Sequence, residues 1–475
     1  MSFAKTRCVG LSSLAIFSIL TILTAGCRVG PNYVRPQAPA PPVYRGTDET
    51  PQSSSDQSSL GEQKWTEVFV DPQLQDLIRV SLEHNYDLQI AARRVLEAQA
   101  RLRISRSQQF PSVTVGATGL GGDLGDSLGS GLPSGAITLG SFNLAASWAP
   151  DFWGLYRRQT EAQRARLLGE VWAQRAVRLS LIQQVASAYF HLRSLEEQLS
   201  IARQTLKDRQ ESVALTRTLE SGGAVPLADL RQAEESEYTA SVQIPQIEQL
   251  IQQEENAIQF LLGRNPGSVP PPSADALLPR RNELPVGVPS RLLERRPDIL
   301  QAEQQLIAAN AQIGAARAQF FPQLSISASG GVGGSDFSNI FDPESRLIYG
   351  LASLTQPIFE AGKLRGQLQL SEETKKEMLL NYQKTIAGAF HDVSNALIAA
   401  SKQQSAREQQ EKLVATAQDA ARLARLRYEG GRTSYLEVLT IDSNLFAAQL
   451  ALVNLREGEA QSLVQLYAAL GGGWQ

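Results

Sequence analysis

The body of this chain is written twice. Ser107-Gln108-Gln109-Phe110-Pro111 and Ala318-Gln319-Phe320-Phe321-Pro322 lie about 211 residues apart, and the pairs Gly222-Gly223 and Gly430-Gly431 about 208. Between these landmarks the same elements recur in the same order. Each half opens on a helix signal, Asp71-Pro72 in the first and Pro297-Asp298 in the second, with Asp able to cap and Pro suited to the first turn. The first of these helices is expected to run to about Gln109. After each Phe-Pro the hydrophobic period changes to two, in Ser112-Val113-Thr114-Val115-Gly116-Ala117-Thr118 and in Leu324-Ser325-Ile326-Ser327-Ala328-Ser329. That is a strand with one apolar and one polar face. A glycine-rich loop follows each (119 to 135, 330 to 345), then a second strand. The alternation of the second strand is clear in Phe142 to Trp148 and ambiguous in Leu347 to Ile358, which is read as a strand from the duplication.

Each half then carries a long helical run, about Gly154 to Glu220 and Ala361 to Glu429. After the glycine pair comes a second run, about Pro226 to Leu262 and Ser434 to Leu470. A helix of roughly 65 residues spans about 100 Å, longer than a compact domain holds. Leu179, Ile182, Val185, Ala186, Tyr189, Leu192, Leu195 and Leu199 follow the three-four spacing of a packing stripe. A soluble coiled-coil scaffold would satisfy the helices alone.

The strands argue otherwise. At about nine to twelve residues, with apolar residues on one face and Ser or Thr on the other, they match a barrel wall between lipid and water. A sheet edge cannot stay open in lipid, and four strands cannot close, since the smallest such barrels have about eight. Several chains must therefore contribute. Two give eight strands and a filled interior; three give twelve and room for a lumen.

Composition removes other classes. The formal charge of the 475 residues is -3, without the basic surface that displaces counterions from nucleic acid. The only cysteines are Cys8 and Cys27, so the body has neither a disulfide framework nor a Cys-based metal site. His84, His191 and His391 show no metal-ligand spacing. No nucleophile-base set converges and no nucleotide-binding loop occurs, so the chain is not read as an enzyme. Asp123 and Asp126 are read as solvated loop residues.

Lys5 and Arg7 precede an apolar run from Val9 to about Leu23, a signal peptide rather than a spanning helix. It ends Leu23-Thr24-Ala25-Gly26-Cys27, the form of a bacterial lipobox, which makes Cys27 the lipidated first residue. Arg28 in place of Asp favours the outer membrane. The expected organisation is a signal peptide over 1-26, a lipidated extended tether over 27-64, a first repeat over 65-263, an equatorial linker over 264-296 and a second repeat over 297-475.

Taken together, these features resemble the outer-membrane efflux protein family to which TolC and OprM belong, in its lipoprotein branch. The closest phrases are Cys27-Arg28-Val29-Gly30-Pro31-Asn32-Tyr33-Val34-Arg35-Pro36, the linker Leu284 to Ile299 with Leu293-Glu294-Arg295-Arg296-Pro297-Asp298, and the ending Ala469-Leu470-Gly471-Gly472-Gly473-Trp474. The resemblance implies a mainly α chain with a transmembrane β part. In it, four strands and long coiled helices per chain trimerise into a 12-stranded β-barrel on a 12-helix periplasmic α-barrel. It implies a passive exit duct in the outer membrane, docked to a periplasmic adaptor and an inner-membrane pump, with no cofactor beyond the lipid on Cys27.

The resemblance also places a gate at the glycine turns. Leu436 matches an apolar constriction, and Glu437 matches one acidic ring position. Thr440 stands where the family commonly has a second Asp. Tyr428 matches a latch that bonds the neighbouring hairpin at Asp229, with Arg432 adding a charge-assisted bond. The competing reading is a periplasmic adaptor or scaffold lipoprotein without its own pore; an adaptor would carry one hairpin flanked by compact β domains, where this chain has two hairpins and two strand pairs.

Overall fold

The computed structural model describes residues 28–37, 41, 44–45, 59–123, 136–270, 289–334 and 342–474. Cys27, Asp126 and the 271–288 part of the linker lie outside them. The helices are α1 (Trp65–Val68), α2 (Pro72–His84), α3 (Tyr86–Ser107), α4 (Leu155–Ser221), α5 (Leu227–Leu261), α6 (Pro289–Arg295), α7 (Pro297–Ala318), α8 (Lys363–Glu429) and α9 (Tyr435–Ala469). The strands are β1 (Ser112–Asp123), β2 (Ala136–Trp148), β3 (Gln323–Gly334) and β4 (Arg346–Thr355). Contacts divide the chain into two compact units, the first made of 1–37, 94–171 and 301–382, the second of 38–93, 172–300 and 383–475.

The first unit holds the sheet, antiparallel in the order β1-β2-β3-β4. Ser112 faces Ser147, Trp148 faces Ile326, and Gln323 faces Thr355. Glycine is a poor strand former, yet β1 extends through the glycines to Asp123 and β3 to Gly334, beyond the expected loop starts. Cross-strand pairing outweighs propensity here: β1 stays in register with β2 as far as Asp123↔Ala136. Gly331 is required, since a Cβ there would lie 2.3 Å from the Phe142 carbonyl oxygen and 2.7 Å from Asn143 Cα. β4 stops at Thr355 rather than near Ile358, because Pro357 cannot donate to a ladder.

The sheet's apolar face is uncovered within the chain. Val113 and Val115 are each 64% exposed, Ile348 85% and Leu354 69%. Beneath the sheet, α4 and α7 pack through Ala162, Ala165, Ala308 and Ala311, whose small side chains let the helices approach closely.

The second unit holds α5, α9 and the parts of α4 and α8 from Trp172 and Gln383 onward, which form two helical hairpins. The expected stripe is its core: Ile182, Val185, Ala186, Tyr189, Leu192 and Leu195 are buried, while Leu179 and Leu199 are half-buried. The duplication extends to the turns. Gly223 and Gly431 both take positive φ, 73° and 64°. Ala224 N–H donates to Leu219 O and Arg432 N–H to Arg427 O, each at 2.8 Å, the six-to-one bond of a Schellman cap. Gly263 and Gly471 end α5 and α9 with the same geometry, at φ 68° and 74°.

The helix expected from Pro72 to about Gln109 is two helices. Asn85 breaks it with ψ 131°. Its amide Nδ2 donates to Leu261 O at 2.9 Å, and its Oδ1 accepts from Leu88 N at 3.1 Å as the cap of α3. A short polar side chain that satisfies a turn better than a helix interior explains the break.

Two phrases used in the family resemblance gain a physical meaning. Arg296 of the linker bonds both carboxylate oxygens of Asp298, at 3.0 and 2.7 Å, and Asp392 at 3.1 Å. Burial drives Tyr44, nearby in the same unit, up to about 12, with Arg296 opposing. The terminal Trp474 meets Trp172 edge-on at 5.7 Å, and the Arg175 guanidinium lies 4.2 and 4.7 Å from the two rings.

Candidate gate and anchor mount

The gate residues sit where the α8–α9 turn meets the α4–α5 turn. Tyr428 and Tyr435 stack obliquely, 5.6 Å apart at 59°, inside a cluster with Val213, Leu230, Ala233, Ala424 and Val438. All four hairpin helices contribute. The Tyr428 ring is 8% exposed, and its hydroxyl is buried without a partner in the chain. Asp229 stands half-buried in the first turn of α5, where a carboxylate favours the helix N-terminus. Its side chain does not meet Tyr428 within the chain. Arg432 is exposed.

Leu436 is 58% exposed, an uncovered leucine on a helix whose neighbours Tyr435 and Val438 are buried. Glu437 is held rather than free: Arg427 donates to it at 2.8 Å, and the Thr433 hydroxyl bonds its other oxygen. Thr440 turns its hydroxyl back to the Leu436 carbonyl at 2.8 Å, spending its polarity on its own helix.

Behind these residues lies a charged network that the sequence reading missed. Arg425 donates to Asp442 at 3.2 Å and approaches Asp208 at 3.6 Å. Arg209, 7% exposed, reaches Ser236 and, at 3.3 Å, Ser443. α4, α5, α8 and α9 are thereby tied by polar contacts in a low-dielectric interior, where each is worth more than at the surface. Burial holds the Asp442 carboxyl above the usual carboxylate range, against the opposing pull of Arg425. A signal existed: Arg217 to Glu234 and Arg425 to Asp442 are the same spacing of 17 residues across each glycine turn.

The residues after Cys27 have a dedicated mount in the first unit. Arg158, 1% exposed, donates to Val29 O at 3.2 Å, Gly30 O at 3.1 Å and Asn32 Oδ1 at 3.0 Å, and pairs with Glu161 at 2.9 Å. Asn310 bonds Pro31 O at 3.0 Å, and Glu303 accepts from Tyr33 and pairs with Arg35. Gly30 has φ 97° and lies on Gly314, where its Cβ would come within 2.4 Å of Cα. Trp153, whose carbonyl accepts from Val29 N–H, stacks on Phe321 at 4.7 Å.

His191 bonds Glu457 at 2.8 Å across two helices, and His391 is exposed beside Asp392 and Asn395. Among the described residues no three His, Cys, Asp or Glu side chains are grouped to hold a metal ion.

The family model "Outer membrane efflux protein" matches residues 77–264 and 288–472, which coincide with the two halves. The chain is 35% identical over 468 residues to the probable efflux pump outer membrane protein TtgC of Pseudomonas putida, covering 97% of this chain and 96% of that one. It is 34% identical over 464 residues to the cation efflux system protein CusC of Escherichia coli, covering 97% and 98%. The open-state MtrE outer membrane channel of Neisseria gonorrhoeae superposes with a TM-score of 0.83 at 29% identity, covering 94% of this chain and 99% of that one. The chain belongs to the outer membrane efflux protein family and is an outer-membrane efflux channel subunit.

Proposed function

We propose that the channel works as a homotrimer, anchored by a lipid on Cys27, that receives substrates from an inner-membrane pump through a periplasmic adaptor and conducts them passively outward. The carrying observation is the sheet: four strands with an exposed apolar face cannot satisfy their edges in lipid unless other copies complete the barrel. Three copies of the α4–α5 and α8–α9 hairpins form the helical part of the duct. Leu436 and Glu437 supply the constriction near the turns. A dewetting gate of converging leucines requires leucines left uncovered in each chain, and Leu436 is one.

Relatives of similar identity are named for antibiotic, toluene and cation efflux, which fits a duct whose selectivity lies mainly in its pump.

Purified protein is expected to migrate as a heat-modifiable trimer and to open single channels in planar bilayers without partners. A chain that binds adaptor but forms no pore overturns the reading. Radiolabelled palmitate is expected to enter the wild type and not Cys27→Ser; equal labelling removes the anchor assignment.

A further inference from the structure

Polar ties join α4 to α9 inside the second unit. Gln461 Nε2 donates to Ser187 O at 2.9 Å, and the His191 ring bonds Glu457 Oε1 at 2.8 Å. Arg456 donates to Glu197 at 2.9 Å, and Gln198 to Asn454 at 3.1 Å. α4 belongs to one hairpin and α9 to the other, so these ties hold the two hairpins of a chain together. Amide bonds and an arginine–carboxylate pair keep their state across ordinary pH. The His191 tie does not, because imidazole changes charge between about pH 5 and 8.

Two carboxylates face that ring. Glu457 comes from α9 and is 19% exposed. Glu254 comes from α5, is half-buried, and lies close enough for both His191 and Glu457 to act on it. An ionised carboxylate can only accept, so His191 Nδ1 carries a proton in its bond to Glu457 and Nε2 is left to take a second. With the ring neutral, two like charges share a half-buried site; one added proton, on the ring or on Glu254, relieves them. Burial holds the Glu254 carboxyl above the usual carboxylate range, with His191 opposing and the Glu457 charge adding. The neighbouring cations are committed elsewhere. Arg193 pairs with Glu196 at 2.6 Å, and Arg456 with Glu197 at 2.9 Å. Arg407 of α8 pairs with Glu459 at 2.7 Å and Glu411 at 2.8 Å. Glu255, next to Glu254, accepts from Val269 N–H at 3.0 Å.

The arrangement is not a by-product of the duplication. At the 208-residue offset of Gly223 and Gly431, His191 corresponds to Ala399, Glu254 to Ser462 and Glu457 to Gln249. None of the three copies titrates near neutrality.

We propose that His191, Glu254 and Glu457 form a proton-dependent clasp that holds α9 to the α4–α5 hairpin, firm at mildly acid pH and looser as pH rises through neutrality. The folded cluster binds its proton more tightly than the unfolded chain does. Its stabilisation is therefore full at acid pH and lost as pH rises. Glu457 lies about 30 Å along α9 from Leu436, so the clasp sets how firmly the helix that carries the constriction is held. That consequence rests on the channel reading; the clasp itself does not.

The test is a double-mutant cycle on the thermal midpoint of the purified full chain in detergent, at about pH 5.5 and about pH 8. The His191 side chain is 42% exposed, so its variants are expected to fold. The coupling between His191→Gln and Glu457→Gln should be at least ~3-fold larger at the lower pH. The coupling between Glu197→Gln and Arg456→Gln is the control and should be the same at both. Glu254→Gln should raise the midpoint more at the higher pH than at the lower. In planar bilayers the wild-type conductance should rise with pH, and His191→Gln should flatten that rise. Equal His191–Glu457 coupling at both pH values overturns the clasp. A pH-dependent coupling with no pH effect on conductance overturns its action on the constriction. A pH-dependent coupling in a protein that opens no channels overturns the channel reading and leaves the clasp standing.

Discussion

Arg425 bonds Asp442 at 3.2 Å, and 208 residues earlier Arg217 bonds Glu234 at the same distance. One ion pair bridges each hairpin just above its glycine turn. The copies differ in surroundings: Asp442 and Arg425 are 8% and 39% exposed, with the buried Arg209 nearby, whereas Glu234 and Arg217 are 17% and 63% exposed. The same chemistry is therefore worth different amounts. Asp442→Ala leaves the half-buried Arg425 guanidinium with only its longer approach to Asp208 at 3.6 Å, and is expected to cost about 1–3 kcal/mol of local stability. Glu234→Ala, at a pair whose arginines face solvent, is expected to cost less. Hydrogen exchange of the two turns measures both; equal deprotection would contradict the burial argument.

Asp442 also gives a pH signature. Burial raises its carboxyl above the ordinary 3.8, so folding favours the protonated form. The stability this contributes is present below 3.8 and is lost as pH rises through the raised value. Asp442→Asn mimics the protonated form at every pH. Its thermal midpoint relative to wild type should rise between pH 4 and pH 7; a flat or falling difference rejects the sign.

Tyr428 separates chain stability from assembly. Its hydroxyl is buried with no acceptor in its own chain, so Tyr428→Phe should cost nothing in monomer stability, and it tests the proposed latch to the neighbouring hairpin. Tyr428→Ala, by contrast, empties the cluster around Tyr435 and Val438 and should cost about 3–5 kcal/mol. Tyr428→Phe with Arg432→Ser is expected to raise single-channel conductance in bilayers, and unchanged conductance would sink the latch assignment.

Most of the architecture could be read from the sequence because it rests on periodicity and duplication, which are local. The strands, the long helices and the glycine turns fall within a few residues of their expected ends. The break at Asn85 was not legible, because its cause is a carbonyl at Leu261, distant in sequence. The Arg209–Asp442 network was missed for a related reason: charges on long helices look solvated until the packing shows which face they occupy. Arg158 was invisible too, one arginine among many, though the Gly30-Pro31-Asn32 phrase it holds was conspicuous.

Glu437 is expected to act on ions only as far as Arg427 allows. The guanidinium at 2.8 Å offsets its charge, and the pair is exposed enough for salt to weaken it. Arg427→Ala should therefore increase cation preference at low salt, Glu437→Ala should reduce it, and Leu436→Ser should raise conductance with little change in selectivity. Reversal potentials under a salt gradient distinguish the three; identical potentials in the two charge variants would place Glu437 away from the pore.

The mount at Arg158 predicts a failure specific to arginine. Its fork reaches two carbonyls, the Asn32 side chain and Glu161 at once, a geometry that a lysine ammonium on a flexible stem cannot reproduce. Arg158→Lys keeps the charge and should still cost about 1–3 kcal/mol of local stability, because buried carbonyls lose their donors. The loss should appear as proteolytic release of the first residues after Cys27 while trimer and conductance persist. Arg157→Lys, one position along, is the control: Arg157 is 27% exposed and tied to Asp151 rather than to the strap. Equal protease sensitivity in the two variants would show that the strap is held by Asn310 and Glu303 instead.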